Sequence, residues 1–481
     1  MTEPVNVGTA VADPIAHTLA GFTASMRLAD VPAEVSLRAR HLILDAIGCA
    51  MAARREEFAA RFNASLRALA GPVPATHQRG VIGDAAGLPL RDAAVMNGVL
   101  LHGLDYDDTH MAGIVHLTVA VLPAVLGVAA QRGASGADLL AAYIAAVECG
   151  ARLAMAARGG FHSRGFHATG LVGAFAAALA AGRLQGLGAD TLVHAQGAVL
   201  SFASGSLQFI EDGAWTKRTH PGWAAQAGIV AASLAAHSVV APQAPYSGRY
   251  GLYATHLDPQ PVRPADLTLA TAGLDAQGCA TTWELNNIAI KPFAMCHFVH
   301  AATDAAIALQ RDGLDVQAIE TIEVLVPDAA VELVCEPAER KRRPQNEYDA
   351  KFSLPYAVAS GLLRGRLGLR ELLPQAYLEP QARALMDKVR YRIDPDSTFP
   401  RHYSGEVRVG LKDGQWRAHR EAVNRGHADR PVSNAEVQAK FMENATLHFS
   451  ERHAHDVCKQ VLDLHNLPDV RTLESLLAQA P

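Results

Sequence analysis

Three carboxylates set close together between apolar, helix-like flanks are what this chain has to accommodate before anything else. The stretch from Met96 to Pro123 reads MNGVLLHGLDYDDTHMAGIVHLTVAVLP and carries Asp105, Asp107, Asp108 and His110, with His102 just before and His116 just after. Only 19% of the residues are charged, so carboxylates drawn into a packed interior are costly to desolvate unless cations or hydrogen-bond donors meet them. The fold must therefore bring pairing groups to this stretch from elsewhere in the sequence.

At 481 residues the chain is too long for one compact domain, so two are expected, with three as the alternative. Hydrophobic residues reach 49% while aromatics are only 6%, and the abundance of alanine favours closely packed helices. A net charge of −5 and a pI near 6.5 argue against a nucleic-acid partner. The six cysteines are scattered, with no CxxC pair, which argues against a disulfide framework or a structural zinc site. MTEPVNVGTAVADP has neither a basic segment nor an apolar core, so no signal peptide is expected. The most apolar run, LAAYIAAVECGARLAMAAR, is interrupted by Glu148, Gly150 and Arg152, so no membrane partner is expected. The expectation is a soluble, cytoplasmic protein.

In chain order, residues 13–54 predict two helices, the second starting at Pro32-Ala33-Glu34. Residues 55–90 read as irregular, with Gly-Pro and Gly-Asp breaks, and a helix over 90–103 then delivers the acidic stretch onto a helix–loop junction. SGADLLAAYIAAVECGARLAMAAR and LGADTLVHAQGAVLSFASG share a Gly-Ala-Asp start and flank the small-residue helix HATGLVGAFAAALAAGRLQGL. These segments read as stacked helical hairpins rather than a formal repeat. Gly213 to Pro221 reads as a polar loop before another helix, and DPQPVRPADLTLATAGLDAQG as a linker. Beyond it TIEVLVP, KVRYRIDP and SGEVRVGLKDGQ alternate like strands, with helices at Phe298–Gln310 and Ala350–Leu363. The expected fold is mainly α with an α+β second domain. Residues 1–265 form a large all-helical domain, 270–420 a smaller α+β domain, and 430–481 return to the helical domain.

The positive charge owed to the acidic stretch has four candidate sources. RGFHATG holds His167 at a helix start, and GAWTKRTHPGW sets Lys217, Arg218 and His220 before a helix N-terminus, which itself favours anions. KPFAMCHFVH holds Lys291, Cys296, His297 and His300, and NEYDAKFSLPY offers Lys351, Ser353 and Tyr356. Taken singly each has a plain structural reading. His167 would be a cap, Lys217 with Arg218 a solvated loop, Cys296 a small core residue, and Asp107 with Asp108 caps of the following helix. Their repetition at helix–loop junctions, in a chain that keeps charge low, favours a shared site. Three chemistries could use it. Aspartates and histidines could hold a hard cation. Asp-Tyr-Asp-Asp-Thr fits the proton-donating motif of one all-helical terpene cyclase class, but 6% aromatics leave few faces for a carbocation. Acid–base chemistry next to a substrate carboxylate would use the cations as clamps and an imidazole or phenol as the proton carrier.

HGLDYDDTH, RGFHATGLVGAFAAA, WTKRTHPGWAAQAG, IKPFAMCHFVHAATDAA and AKFSLPYAVA, in this order, resemble the MmgE/PrpD family, over about residues 13–465. That family includes 2-methylcitrate dehydratase, cis-aconitate decarboxylase and iminodisuccinate epimerase. The resemblance implies a helical domain closed by the C-terminal segment, a smaller lid domain, a homodimer, and a site between the domains that works without metal or organic cofactor. By motif, Asp105 is the acidic residue of the first segment, Thr109 the hydroxyl after it and His116 the downstream histidine, in a loop one residue longer than the decarboxylase's. His167, Lys217 and Lys291 match directly. Where the decarboxylase has a histidine this chain has Cys296, with His297 beside it.

The implied function is a cofactor-independent lyase acting on a small di- or tricarboxylic acid. A 2-methylcitrate dehydratase-like reaction is preferred over cis-aconitate-type decarboxylation and iminodisuccinate-type epimerisation, and a non-catalytic helical binding protein is the remaining reading. The expected roles are carboxylate binding by Lys217, Lys291 and His116, proton transfer by His167, and orientation of a neighbouring cation by Asp105. Thr109, Cys296, His297 and Tyr356 are expected to line the substrate.

Overall fold

The computed structural model describes residues 13–257 and 264–481. Most of the N-terminal segment read for a signal peptide, and the first part of the proposed linker, lie outside the described residues. The chain divides into two compact units. One runs through Ile288 and takes in Asn434–Pro481; the other is Ala289–Ser433.

The larger unit is built almost entirely of helices, and small side chains decide how closely they approach. Leu90–His102, Thr118–Arg132, Ala168–Leu184 and Thr219–Ala236 share a core that includes Ala94, Ala124, Ala177, Ala225, Ile229 and Ala232. A Cβ on Gly98 would lie 2.3 Å from the Cα of Gly222, so these two helices touch backbone to backbone. That contact ties the start of Thr219–Ala236 to the helix that ends in the acidic loop.

Residues 55–90 are more ordered than their sequence suggested. Glu57–Ala70 is a helix, and Gln78–Val81 pairs antiparallel with Asp84–Pro89. One carboxylate organises the region: Asp84 receives Arg54 at 2.8 Å, Arg67 at 2.9 Å and Asn63 at 3.1 Å. The Gly-Asp pair read as a break is thus the turn of a hairpin whose aspartate gathers the preceding helices.

Gly136–Ala156 starts with a capping box, in which Ser135 Oγ accepts from the Asp138 amide at 3.1 Å. Its counterpart Ala189–Val199 has Gly188 at the same position and no side-chain cap, so the shared Gly-Ala-Asp start does not carry a shared cap. Among the described residues Gly136–Ala156 is the one helix long and apolar enough to cross a membrane, and it is buried within the unit. Its interrupting charges are internally satisfied. Glu148 pairs with Arg152 and accepts from the amides of Glu284 and Leu285 at 3.0 and 2.7 Å, while Arg152 donates to the carbonyls of Ala272 and Thr282 at 2.7 and 2.8 Å. The helices Asn434–Ala445 and Glu451–Leu462 belong to this unit as well, and a Cβ on Gly48 would sit 3.0 Å from the Phe441 ring.

The smaller unit holds a four-stranded sheet in the order Val389–Ile393, Ile319–Val326, Gly405–Leu411, Trp416–Glu421. The first pair is parallel, with Val324 opposite Tyr391, and the other pairs are antiparallel, with Val324 opposite Val407 and Val407 opposite His419. Ile322, Val324, Val407 and Val409 are fully buried, the period-two pattern of a half-covered sheet. The helix predicted over Ala350–Leu363 is two pieces, Glu347–Lys351 and Leu354–Arg364. Ser353 caps the second through the Tyr356 amide at 3.0 Å, and Pro355 occupies its first turn, which no continuing helix would tolerate.

Candidate active site

The helix Leu90–His102 ends at His102, and Asp105 turns the chain out of it with φ 53°, a left-handed conformation that aspartate tolerates better than most residues. The turn aims Asp105 outward and Asp107 inward. Lys217 reaches Asp105 from the turn Trp215–Arg218, its Nζ 2.8 Å from Oδ2, with both side chains partly exposed. The neighbouring Arg218 donates to the Gly103 carbonyl at 2.8 Å and lays its guanidinium over Phe58, 4.3 Å from the ring centre. The polar loop is therefore clamped to the helix end rather than solvated.

Asp107 is fully buried. His102 Nδ1 lies 3.0 Å from both its oxygens, and His116 Nδ1 lies 3.3 Å from Oδ2. Burial opposes its ionisation, but the charge and hydrogen bonds of His102 and His116 outweigh that and hold its carboxyl well below the usual carboxylate range. Asp108 behaves oppositely. Burial pushes it up to about 7, against the Thr118 hydroxyl that donates to it and with help from Asp107 and Asp45. Near neutrality Asp107 is thus ionised while Asp108 is in the middle of its titration, and neither caps the following helix, as one reading of the sequence had them. Thr109 lies beside this cluster with Oγ1 3.3 Å from His116 Nδ1, and Thr169 Oγ1 accepts from the His116 amide at 3.1 Å.

His167 stands immediately before Ala168–Leu184 without capping it. Its amide donates to the Gly205 carbonyl at 2.9 Å, and its ring packs 5.8 Å from His102 and 6.0 Å from His116. Burial, then Lys217, then the surrounding imidazoles hold its pKa well below the ordinary histidine value, so it is neutral. Two further histidines border it. His220 Nδ1 is 3.0 Å from His167 Nδ1, and burial with His102 and Lys217 pushes His220 down to about 4. His162 stands edge-on at 6.1 Å and is pushed down to about 4 by burial, with His116 and Lys217 adding to it.

A buried support lies beneath the loop. Lys440, from Asn434–Ala445, donates to the Tyr106 carbonyl at 2.9 Å, covers the Tyr106 ring at 3.7 Å and pairs with the buried Asp45 at 2.7 Å. His110 pairs with Glu284 at 3.1 Å.

The larger unit thus brings together Asp105, Thr109, His116, His167 and Lys217. The acidic stretch did single out the carboxylates and histidines, but their pairing was not legible. Asp107 rather than Asp105 is the acid that the imidazoles of His102 and His116 contact, and His102, His162 and His220 complete the cluster. His102 stood beside the acidic stretch and opened HGLDYDDTH, but nothing in the sequence paired it with Asp107.

In the smaller unit Lys291 is buried. Cys296 is half-buried and its amide donates to the Lys351 carbonyl at 2.9 Å. His297 is buried with its ring 4.6 Å from that of His300. Tyr356 is a correction. It is fully buried in the core and its hydroxyl is spent on the Glu371 carbonyl, so it supports the fold instead of lining a substrate. Ser353 is a helix cap, and Lys351 pairs with Glu347 at 2.7 Å.

Among the described residues two groups have the donor types of a metal site: His102 with Asp107 and His116, and His402 with His427 and Asp429, the donor atoms of each lying within 4.8 Å of one another. In both, the carboxylate already meets an imidazole at hydrogen-bond distance, 3.0 Å for His102 and 2.7 Å for His402.

A buried, ionised carboxylate in contact with two imidazoles, beside an ammonium and a neutral histidine, has the groups that acid–base chemistry needs. The MmgE/PrpD N-terminal domain matches residues 17–265 and the MmgE/PrpD C-terminal domain residues 293–464. The chain belongs to the MmgE/PrpD family, and it is a lyase-type enzyme of that family. It is 25% identical over 479 residues to the cis-aconitate decarboxylase-like protein oryM of Aspergillus oryzae, covering 96% of each chain. It is 29% identical over 404 residues to cis-aconitate decarboxylase of Homo sapiens, covering 81% of this chain and 80% of that one. With cis-aconitate decarboxylase of Aspergillus terreus it shares 26% over 471 residues, 93% and 92% of the two chains.

Proposed function

We propose that this enzyme moves a proton at a carbon next to a carboxylate of a small di- or tricarboxylic acid, without metal or organic cofactor, and that His167 carries the proton. The observation that carries this reading is the neutral, buried His167 ring set among Lys217, His102 and His116. Removing a proton beside a carboxylate builds negative charge on that group in the transition state. Cations already in place stabilise that charge without reorganising. Lys217 is such a cation and is held by Asp105, while His116 is held by the Asp108 carbonyl and Asp107, so both side chains are oriented before substrate arrives. The roles proposed for Lys291, Cys296 and His297 rest on the motif resemblance.

Two reactions are favoured by separate observations. Relatives matched over most of this chain are named as cis-aconitate decarboxylases, which makes cis-aconitate the first substrate to try. Cys296, where the decarboxylase has a histidine, weighs against cis-aconitate and keeps 2-methylcitrate beside it as the second substrate to try. The test is incubation of the protein in D₂O with cis-aconitate, 2-methylcitrate and iminodisuccinate, following product and deuterium position by NMR. Release of CO₂ with one deuterium at carbon supports decarboxylation, and water loss supports dehydration. Absence of product and of exchange with all three sinks the proposal. A homodimer, proposed from kinship, is tested by sedimentation equilibrium.

A further inference from the structure

His167 faces a contradiction if it works alone. It has to accept a proton, yet it is 3% exposed and has the Lys217 ammonium and the imidazoles of His102, His116 and His162 around it. An imidazolium formed there would be buried near that ammonium, and among the described residues no carboxylate touches it.

The contact with His220 resolves this. The two Nδ1 atoms are 3.0 Å apart, and two neutral imidazoles in that arrangement hold one hydrogen between them. If His167 carries it, His220 carries its own hydrogen on Nε2 and the His167 Nε2 lone pair is available as a base. If His220 carries it, His167 has its hydrogen on Nε2 and is an acid. The two arrangements are the same pair of tautomers with the rings exchanged, so only their surroundings separate them in energy. Among the described residues neither Nε2 atom makes a hydrogen bond. The rest of the fold protects the contact. The Phe209 edge stands 6.2 Å from the His167 ring and 5.9 Å from the His220 ring. A Cβ on Gly205 would lie 3.4 Å from both the His220 Nδ1 and the His167 carbonyl, and its φ of 145° suits glycine. His167 is buried while His220 is half-buried, which gives the pair an inner and an outer member.

We propose that His220 is the positioning residue of this site and that it relays the proton His167 accepts, so that neither ring carries a net charge after the transfer. The inference rests on the functional reading above. In the base arrangement, His167 Nε2 takes the substrate proton and the electron pair of the C–H bond stays on the substrate as an enolate. The His167 Nδ1 hydrogen then passes to His220 Nδ1, and His220 gives its Nε2 hydrogen to water. The pair ends in the acid arrangement, with His167 able to return a proton from Nε2, and the reverse sequence resets it.

The test uses the full-length protein with His220→Ala, His220→Asn and His220→Phe, assayed on whichever of cis-aconitate, 2-methylcitrate or iminodisuccinate the wild type converts. All three variants are expected to lose about 10²-fold in kcat, the scale of lost acid–base assistance. KM should stay within about two-fold, since ground-state binding is untouched. Imidazole added to the buffer is expected to restore His220→Ala, and to leave unrestored His220→Phe, which fills the space, and His220→Asn, whose amide accepts a hydrogen bond but cannot pass a proton on. Wild-type kcat in His220→Asn, or no response of His220→Ala to imidazole, overturns the relay. A second measurement does not depend on turnover or on the variants folding. In ¹⁵N-histidine-labelled wild type, both His167 nitrogens should give shifts averaged between the two tautomers, and a single fixed tautomer overturns the proposal. If the wild type converts none of the three acids, the functional reading fails, while the NMR result still decides the fate of the pair.

Discussion

Asp107 and Asp108 differ by one position and by opposite pKa shifts, and that difference organises the site. Asp107 meets two imidazole N–H groups, whereas Asp108 meets a threonine hydroxyl and lies near two other carboxylates. Replacing Asp107 by Asn removes the carboxylate that His102 and His116 share in a buried setting. Losing hydrogen bonds to a charged group costs about 1.5–3 kcal/mol, so the denaturant midpoint and kcat/KM should fall together. His167→Gln should lower kcat by roughly 10²–10⁴-fold on the true substrate, and full activity in that variant would remove His167 from its proposed role. His162 gives a pH prediction. Its folded pKa, about 4, lies below the unfolded value of about 6.5, so between these values the unfolded state binds more protons and stability rises with pH. Asp108, raised to about 7, acts in the opposite sense, so the comparison has to isolate one group. Urea unfolding of His162→Gln against wild type should show a shallower rise of stability over that window, and an unchanged slope would contradict the assignment.

At the level of elements, close helix contact and a buried lysine hold the loop in place. Gly98→Ala would set a Cβ 2.3 Å from the Gly222 backbone, an overpacking that costs about 1–3 kcal/mol. Because Lys217 and His220 precede or begin the helix bearing Gly222, the same substitution should weaken activity more than its stability loss explains, measured as kcat/KM under conditions where the variant is fully folded. Lys440→Met leaves Asp45 buried without the lysine it pairs with and removes the lysine's hydrogen bond to the Tyr106 carbonyl. The midpoint should drop, and Asp45→Leu with Lys440→Met should recover much of that loss, because an apolar pair needs no desolvation of charge. A double variant no better than the single one would contradict the buried-pair account. Helices with strong periodicity, such as Gly136–Ala156, were readable from the sequence. Glu57–Ala70 and the hairpin after it were not, because what orders them is Asp84 collecting Arg54, Arg67 and Asn63.

For the molecule as a whole, the larger unit is discontinuous in sequence. A chain ending at Ser433 would lose Phe441 from against Gly48 and Lys440 from beneath Tyr106, so it should fail to give a cooperative unfolding transition by circular dichroism. A sharp transition in that truncation would contradict the description. Composition and periodicity by themselves determined a mainly helical chain with a smaller α+β part, because alanine-rich amphipathic segments and period-two strands report only on neighbours near in sequence. The motifs determined which polar residues are candidates, since their types and order are written along the chain. Tertiary structure alone decided that Asp107 meets His102 and His116, that Tyr356 belongs to a core, and that His220 meets His167. Each depends on side chains far apart in sequence arriving within a few ångströms, and on burial, which sets the charge state of a group and has no local signature.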